Sequence, residues 1–149
     1  MNLEFNSYHG IALCRIVHDD RVNSIKLYPT PSNSSYMINE EIGIFIKYST
    51  NRMTPWRFTF KREHRVELHE MYVLLKAVFV VLVCRDDGIA CLNYRELVAV
   101  LGEIKEATQW LAVARNPREK YRISGSHGGL KHKIADSQFP ERLFIADTA

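Results

Sequence analysis

GIFIKYSTNRMTPWRF, residues 43–58, decides how this chain is read. It belongs to a strand-forming run, Ile42 to Ser49, whose one charge is Lys47. Side chains alternate along a strand, so Lys47 shares a face with Phe45 while Ile46 takes the other. Arg52, a Thr54-Pro55 break, Trp56 and Arg57 follow directly. A second β-rich run, Ser35 to Asn39, precedes the strand, and Glu40-Glu41 between them marks a hairpin. Glu-Glu is not the favoured Asn-Gly turn, so a longer connection including Asn39 is the other option. With Glu40-Glu41 as the turn, Tyr36 falls opposite Phe45 and Ser34 opposite Lys47.

Upstream, Asn6 or Ser7 is the expected cap of a helix from about Tyr8, with Tyr8, Ile11, Ala12 and Ile16 at helical spacing. Asp19-Asp20 ends it. Ser24 to Tyr28 reads as a short strand, and Pro29 to Asn33 as a break. Downstream, Trp56 to Phe60 is an extended piece and Lys61 to Lys76 the strongest long-helix candidate. Val78 to Val83 is nearly all apolar, as in a strand covered on both faces. Asp86-Asp87-Gly88 turns the chain into a strand from Ile89 to Leu92.

Asn93 with Glu96 fits a capping box, opening a helix from Tyr94 to Leu101 that Gly102 ends. Trp110 to Ala114 and Lys120 to Ser124 form a second hairpin around Asn116-Pro117. SGSHGG, 124–129, reads as a flexible glycine-rich loop. The tail packs through Phe139, Leu143 and Phe144. No repeat or linker divides the chain, so the expectation is a single domain over 1–149. Its class is α/β, a central mixed sheet flanked by helices.

Composition fits a globular domain, with 46% hydrophobic and 25% charged residues. No run approaches ~18 apolar residues, so no membrane span is expected. The start, MNLEFNSYHG, lacks a basic segment followed by an apolar one, which argues for a cytoplasmic location. Cys14, Cys84 and Cys91 include no CxxC pair and read as buried free thiols, a Cys84–Cys91 bridge across the turn being the alternative.

The net charge of +3 is unevenly spread. Arg115, Arg118, Lys120, Arg122, Lys131 and Lys133 face only Glu119 within their stretch. Arg52, Arg57, Lys61, Arg62 and Arg65 face only Glu63. Such patches attract phosphate backbones or acidic proteins, or are simply solvated faces. His64 and His69 are five apart, where a helical zinc pair needs four. SGSHGGLKHK lacks both the phosphate-loop and the nucleophile-elbow patterns. No cofactor and no metal are therefore expected.

From Asn6 to Val83 the element order is helix, three strands, helix, strand. This resembles the α-β-β-β-α-β core of the restriction-endonuclease-like, or PD-(D/E)XK, superfamily. In active members the third strand ends in acid-x-lysine. Two carboxylates there hold a divalent metal, and the lysine helps position water and stabilise charge. Lys47 matches the lysine. Phe45 stands in the acid position, and neither Tyr36 nor Ser34 is a carboxylate. Asp19, Asp20, Glu63 or Glu67 would have to be brought in from elsewhere.

The resemblance thus implies a degenerate active site that keeps a basic notch. The expected function is a non-catalytic nucleic-acid-associated domain. DNA or RNA is its implied partner, held by Lys47, Arg52, Arg57, Lys61 and the 115–133 stretch, with Trp56 or Tyr48 as a stacking surface. Trp56 and Phe58 as plain core residues are the competing reading. A protein-interaction module with an acidic partner, and a metal-dependent nuclease with relocated carboxylates, are the alternative functions.

Overall fold

The computed structural model describes residues 2–145. Helix α1, Leu3–Val17, begins earlier than the sequence suggests, because Asn2 caps it by accepting a hydrogen bond from the Phe5 amide. Strands β1 (Ile25–Leu27), β2 (Ser35–Ile38) and β3 (Ile42–Ser49) follow. Next come β4 (Trp56–Phe60), helix α2 (Arg62–Leu74) and β5 (Ala77–Cys84). Strand β6 (Gly88–Asn93) leads directly into helix α3 (Tyr94–Leu101), which has the Asn93–Glu96 capping box and ends at Gly102. Strands β7 (Gln109–Ala114), β8 (Arg122–Gly125) and β9 (Gly128–Gly129) precede two short 3-10 turns, Asp136–Gln138 and Glu141–Phe144.

The chain is an α/β unit with two sheets where one was expected. The first is five-stranded and mixed, ordered β1-β2-β3-β5-β6. Strands β3 and β5 run parallel and the other pairs antiparallel. Parallel neighbours need a crossover, and β4 with α2 supplies it. The second sheet is four-stranded and antiparallel, ordered β4-β7-β8-β9. It consists of the Trp56–Phe60 piece and the late hairpin, which the sequence left without a common partner.

Both faces of the first sheet are buried. Ile44, Ile46, Val81 and Val83 meet Ala12 and Ile16 of α1 together with Phe139 and Leu143 of the tail. On the opposite face Phe45, Val80 and Leu82 join Leu68 and Met71 of α2, Leu97 of α3, and Phe58 and Leu111 of the second sheet. Arg65 is buried between these elements. Its guanidinium donates to Gln109 Oε1 at 2.5 Å and to the Gly102 carbonyl at 2.7 Å, which satisfies most of a polar group placed in the core. No helix among the described residues is long and apolar enough to cross a membrane.

The β2–β3 register differs from the expected one by a residue. Asn39 and Glu40 both adopt positive φ, 54° and 61°, and Glu41 completes a three-residue connection. Asn39 tolerates this conformation, and its side chain receives the Asn23 and Ser24 amides at 2.6 and 3.2 Å. Ser35, not Tyr36, therefore stands opposite Phe45.

The SGSHGG segment is also no flexible loop: it forms the β8–β9 hairpin. A Cβ on Gly125 would lie 2.4 Å from the Val100 carbonyl oxygen, so only glycine lets this hairpin close on the end of α3. All three cysteines are free, and Cys14 is exposed where burial was expected. Cys84 and Cys91 pack on opposite faces of the first sheet, so no bridge joins them.

Candidate functional site

Lys47 lies near the end of β3, on the face that turns toward α2. Its ammonium sits over two aromatic faces, 5.0 Å from the Phe60 centroid and 5.8 Å from that of Phe45. Among the described residues it has no hydrogen bond or ion pair. Burial, reinforced by the neighbouring Lys61 charge, lowers its pKa to about 8 against a weaker opposing pull from Glu67. Lys47 lines a notch of about 130 Å3 that opens to solvent between the first turns of α1 and α2.

Two histidines line the same notch. His9 is buried on α1, stacks on Phe5 at 3.8 Å and shares a 2.8 Å hydrogen bond with the Tyr36 hydroxyl. Burial lowers its pKa to about 4, so it is neutral at physiological pH. His64, in the first turn of α2, accepts the Lys61 amide on Nδ1 at 3.2 Å. Its neutral ring therefore keeps a proton on Nε2. Burial lowers its pKa as well, with Lys47 adding to the effect. His64 also borders a larger cleft of about 790 Å3 between the Tyr28–Ser32 segment and α2.

Glu67 is the acid that α2 brings toward Lys47, and it is already engaged. Its carboxylate accepts the Ser35 hydroxyl at 2.5 Å and the Ser32 hydroxyl at 2.9 and 3.1 Å. Asp19, another acid considered for relocation, is paired with Arg21 at 2.8 Å. Among the described residues no three His, Cys, Asp or Glu side chains come together as metal ligands.

The basic residues divide between several places. Trp56 is core: it is 3% exposed, donates Nε1–H to the Asn51 carbonyl and meets Tyr121 edge-on, so it offers no stacking surface. Tyr48 is partly buried and already stacks on Tyr8, at 4.8 Å. Arg115 is a structural cation, 2.7 Å from Asp87 and 4.4 Å from the Tyr121 ring centroid. Lys133 pairs with Glu119 at 3.9 Å. Arg52, Lys61, Arg118, Lys120 and Lys131 are exposed.

Arg57 and Arg122 share the outer face of the second sheet, on strands separated by β7. Arg57 pairs with Ala112, Ala112 with Ser124, and Ala114, two residues on, with Arg122. Because strand side chains alternate, burial of Trp56, Phe58 and Phe60 turns Arg57 and Thr59 outward. Trp110, opposite Thr59, faces outward too, is 42% exposed and has the Arg57 guanidinium 5.9 Å from its ring centroid. Sequence reasoning missed Trp110, His9 and Ser35 as members of functional surfaces. Comparison with protein-family models, curated proteins and solved structures finds no match for this chain.

Proposed function

We propose that this protein is a nucleic-acid-binding domain that holds single strands on the outer face of its second sheet and does not cut them. The observation that carries this reading is the pairing of an exposed Trp110 with Arg57, with Arg122 two strands away. An exposed indole gives a base a face to stack on, and this stacking tolerates any sequence. The Arg57 and Arg122 guanidiniums neutralise phosphates, and the small side chains of Ala112 and Ala114 lie on the strand between them. An antiparallel sheet with aromatic and basic residues outward is a surface suited to unpaired bases.

The core reads as a degenerate relative of the PD-(D/E)XK nucleases. Phe45 and Ser35 stand where the two carboxylates would be needed, and Glu67 is held by hydroxyls. The test is fluorescence anisotropy with labelled single-stranded and duplex oligonucleotides over a salt series. Binding should favour single strands and weaken with salt, with a log–log slope of about −0.7 per phosphate contacted. Absence of binding at low salt overturns the reading and leaves an acidic protein as the partner to seek.

A further inference from the structure

We propose that Lys47 is a covalent capture residue whose side-chain amine condenses with an aldehyde in the β3 notch to form an imine. Three features of the site lead there. The Nζ atom has no acid partner, because Glu67 is turned to Ser32 and Ser35. The side chain is packed on the rings of Phe45 and Phe60, which strip water from the ammonium. The notch above it, about 130 Å3 and open to solvent, has room for a small carbonyl group.

Lysine amines become nucleophiles when desolvated or placed beside another cation, and both conditions hold at Lys47. The groups that face it are Lys61, His64 and Glu67 from the start of α2 and His9 from α1, with Glu4 acting on the adjacent Tyr48. Glu67 favours the ammonium, and burial with Lys61 outweighs it, leaving its pKa at about 8. At neutral pH the free-amine fraction is then on the order of a hundredfold larger than for a surface lysine.

In the reaction the Nζ lone pair bonds to the carbonyl carbon. The carbonyl π pair moves to oxygen, which takes a proton, while the new ammonium loses one to solvent. His64, whose Nδ1 accepts the Lys61 amide and whose Nε2 therefore carries the proton, lines the notch as a donor for this chemistry. The carbinolamine hydroxyl then takes a proton from solvent and leaves as water, the nitrogen lone pair completes the C=N bond, and the iminium so formed returns its N–H proton to solvent to give the imine. No oxidant or metal is needed.

Two sources supply such an aldehyde: a free small molecule, or the ring-opened sugar of an abasic site in a nucleic acid. The second rests on the binding reading above, and the first does not. The full chain is incubated with glycolaldehyde, or with an oligonucleotide carrying one abasic site, and adducts are trapped with sodium cyanoborohydride. Peptide mapping by mass spectrometry then gives the rate at every lysine.

Lys47 should be modified about tenfold faster than the exposed Lys61 and Lys105, with a rate that rises as pH passes through about 8. Lys47→Arg, checked for folding by circular dichroism, should abolish that fast phase alone. Modification of Lys47 no faster than of Lys105 overturns the proposal. Fast trapping by glycolaldehyde but not by the abasic strand assigns the ligand to free aldehydes. Fast trapping by both, or by the abasic strand alone, assigns it to nucleic acid. If oligonucleotides fail to bind at low salt while the glycolaldehyde adduct still forms at Lys47, the nucleic-acid reading falls and capture stands.

Discussion

Ser35 stands directly across the hairpin from Phe45, and its hydroxyl donates to Glu67 of α2 at 2.5 Å. One relationship thus fills both strand positions with uncharged residues and occupies the nearest carboxylate. Glu67 is almost fully buried, and its hydroxyl partners stabilise an acid that would otherwise lack solvation. Glu67→Ala strands the buried Ser35 hydroxyl, while the half-buried Ser32 hydroxyl keeps Thr30 beside it, and should cost about 1–3 kcal/mol. Ser35→Ala removes one donor and should cost less. Urea denaturation of both variants measures the difference, and an unchanged midpoint for Glu67→Ala contradicts it.

The outward face of the second sheet makes a separable prediction. Trp110→Ala removes an exposed ring and should leave the thermal midpoint close to wild type. It should weaken single-strand binding by about 1–3 kcal/mol, roughly ten- to a hundredfold, as loss of one stacking platform does. Arg122→Ala should weaken binding less at high salt than at low salt, because its contribution is chiefly electrostatic. Anisotropy titrations at two salt concentrations separate the two effects, and equal salt slopes in wild type and Arg122→Ala would contradict the assigned contact.

The order of elements was legible because local periodicity writes it. Tyr94 to Leu101 and Trp56 to Phe60 have the bounds that their patterns indicate. The same alternation already implied that Trp56 is buried with Phe58 and Phe60, and it points Trp110 away from Leu111 and Val113. The second sheet was not legible: Trp56 pairs with Val113, and no local signal announces so distant a partner. The hairpin takes the longer connection through Asn39 that the sequence offered as its second option, because Asn39 and Glu40 both adopt left-handed conformations, and the register set by a Glu40-Glu41 turn is off by one residue. His9 had no signal at all. Its role depends on Tyr36 and Phe5, which only the packing of α1 on the sheet brings to it.

His9 gives stability a pH dependence of definite sign. Its folded pKa lies near 4 and its unfolded value near 6.5, so the unfolded chain binds the extra proton between them. The associated stability is complete above about 6.5 and is lost as pH falls toward 4. Titrating neighbouring carboxylates act over the lower part of that window, so the comparison must be made against a variant. His9→Gln should flatten the fall between pH 6.5 and 4.5, as followed by denaturant midpoints. An identical profile in that variant contradicts the assignment.

Lys47 should be a residue whose replacement stabilises the fold. Its folded pKa of about 8 lies below the ordinary lysine value of 10.5, so the folded state holds the charged form less readily than the unfolded chain does. The penalty is full below about pH 8 and disappears as pH rises through 10.5, where both states are neutral. Methionine fills similar volume with an apolar side chain, suited to the rings of Phe45 and Phe60. Lys47→Met should therefore raise stability at pH 7 by about 1–3 kcal/mol, the burial cost of the charge discounted for the solvent the ammonium still meets. The gain should shrink between pH 8 and 10. A gain that stays constant over that range would place its origin in packing, and a loss at pH 7 would contradict the burial cost. That same variant should lose the fast aldehyde adduct while gaining stability.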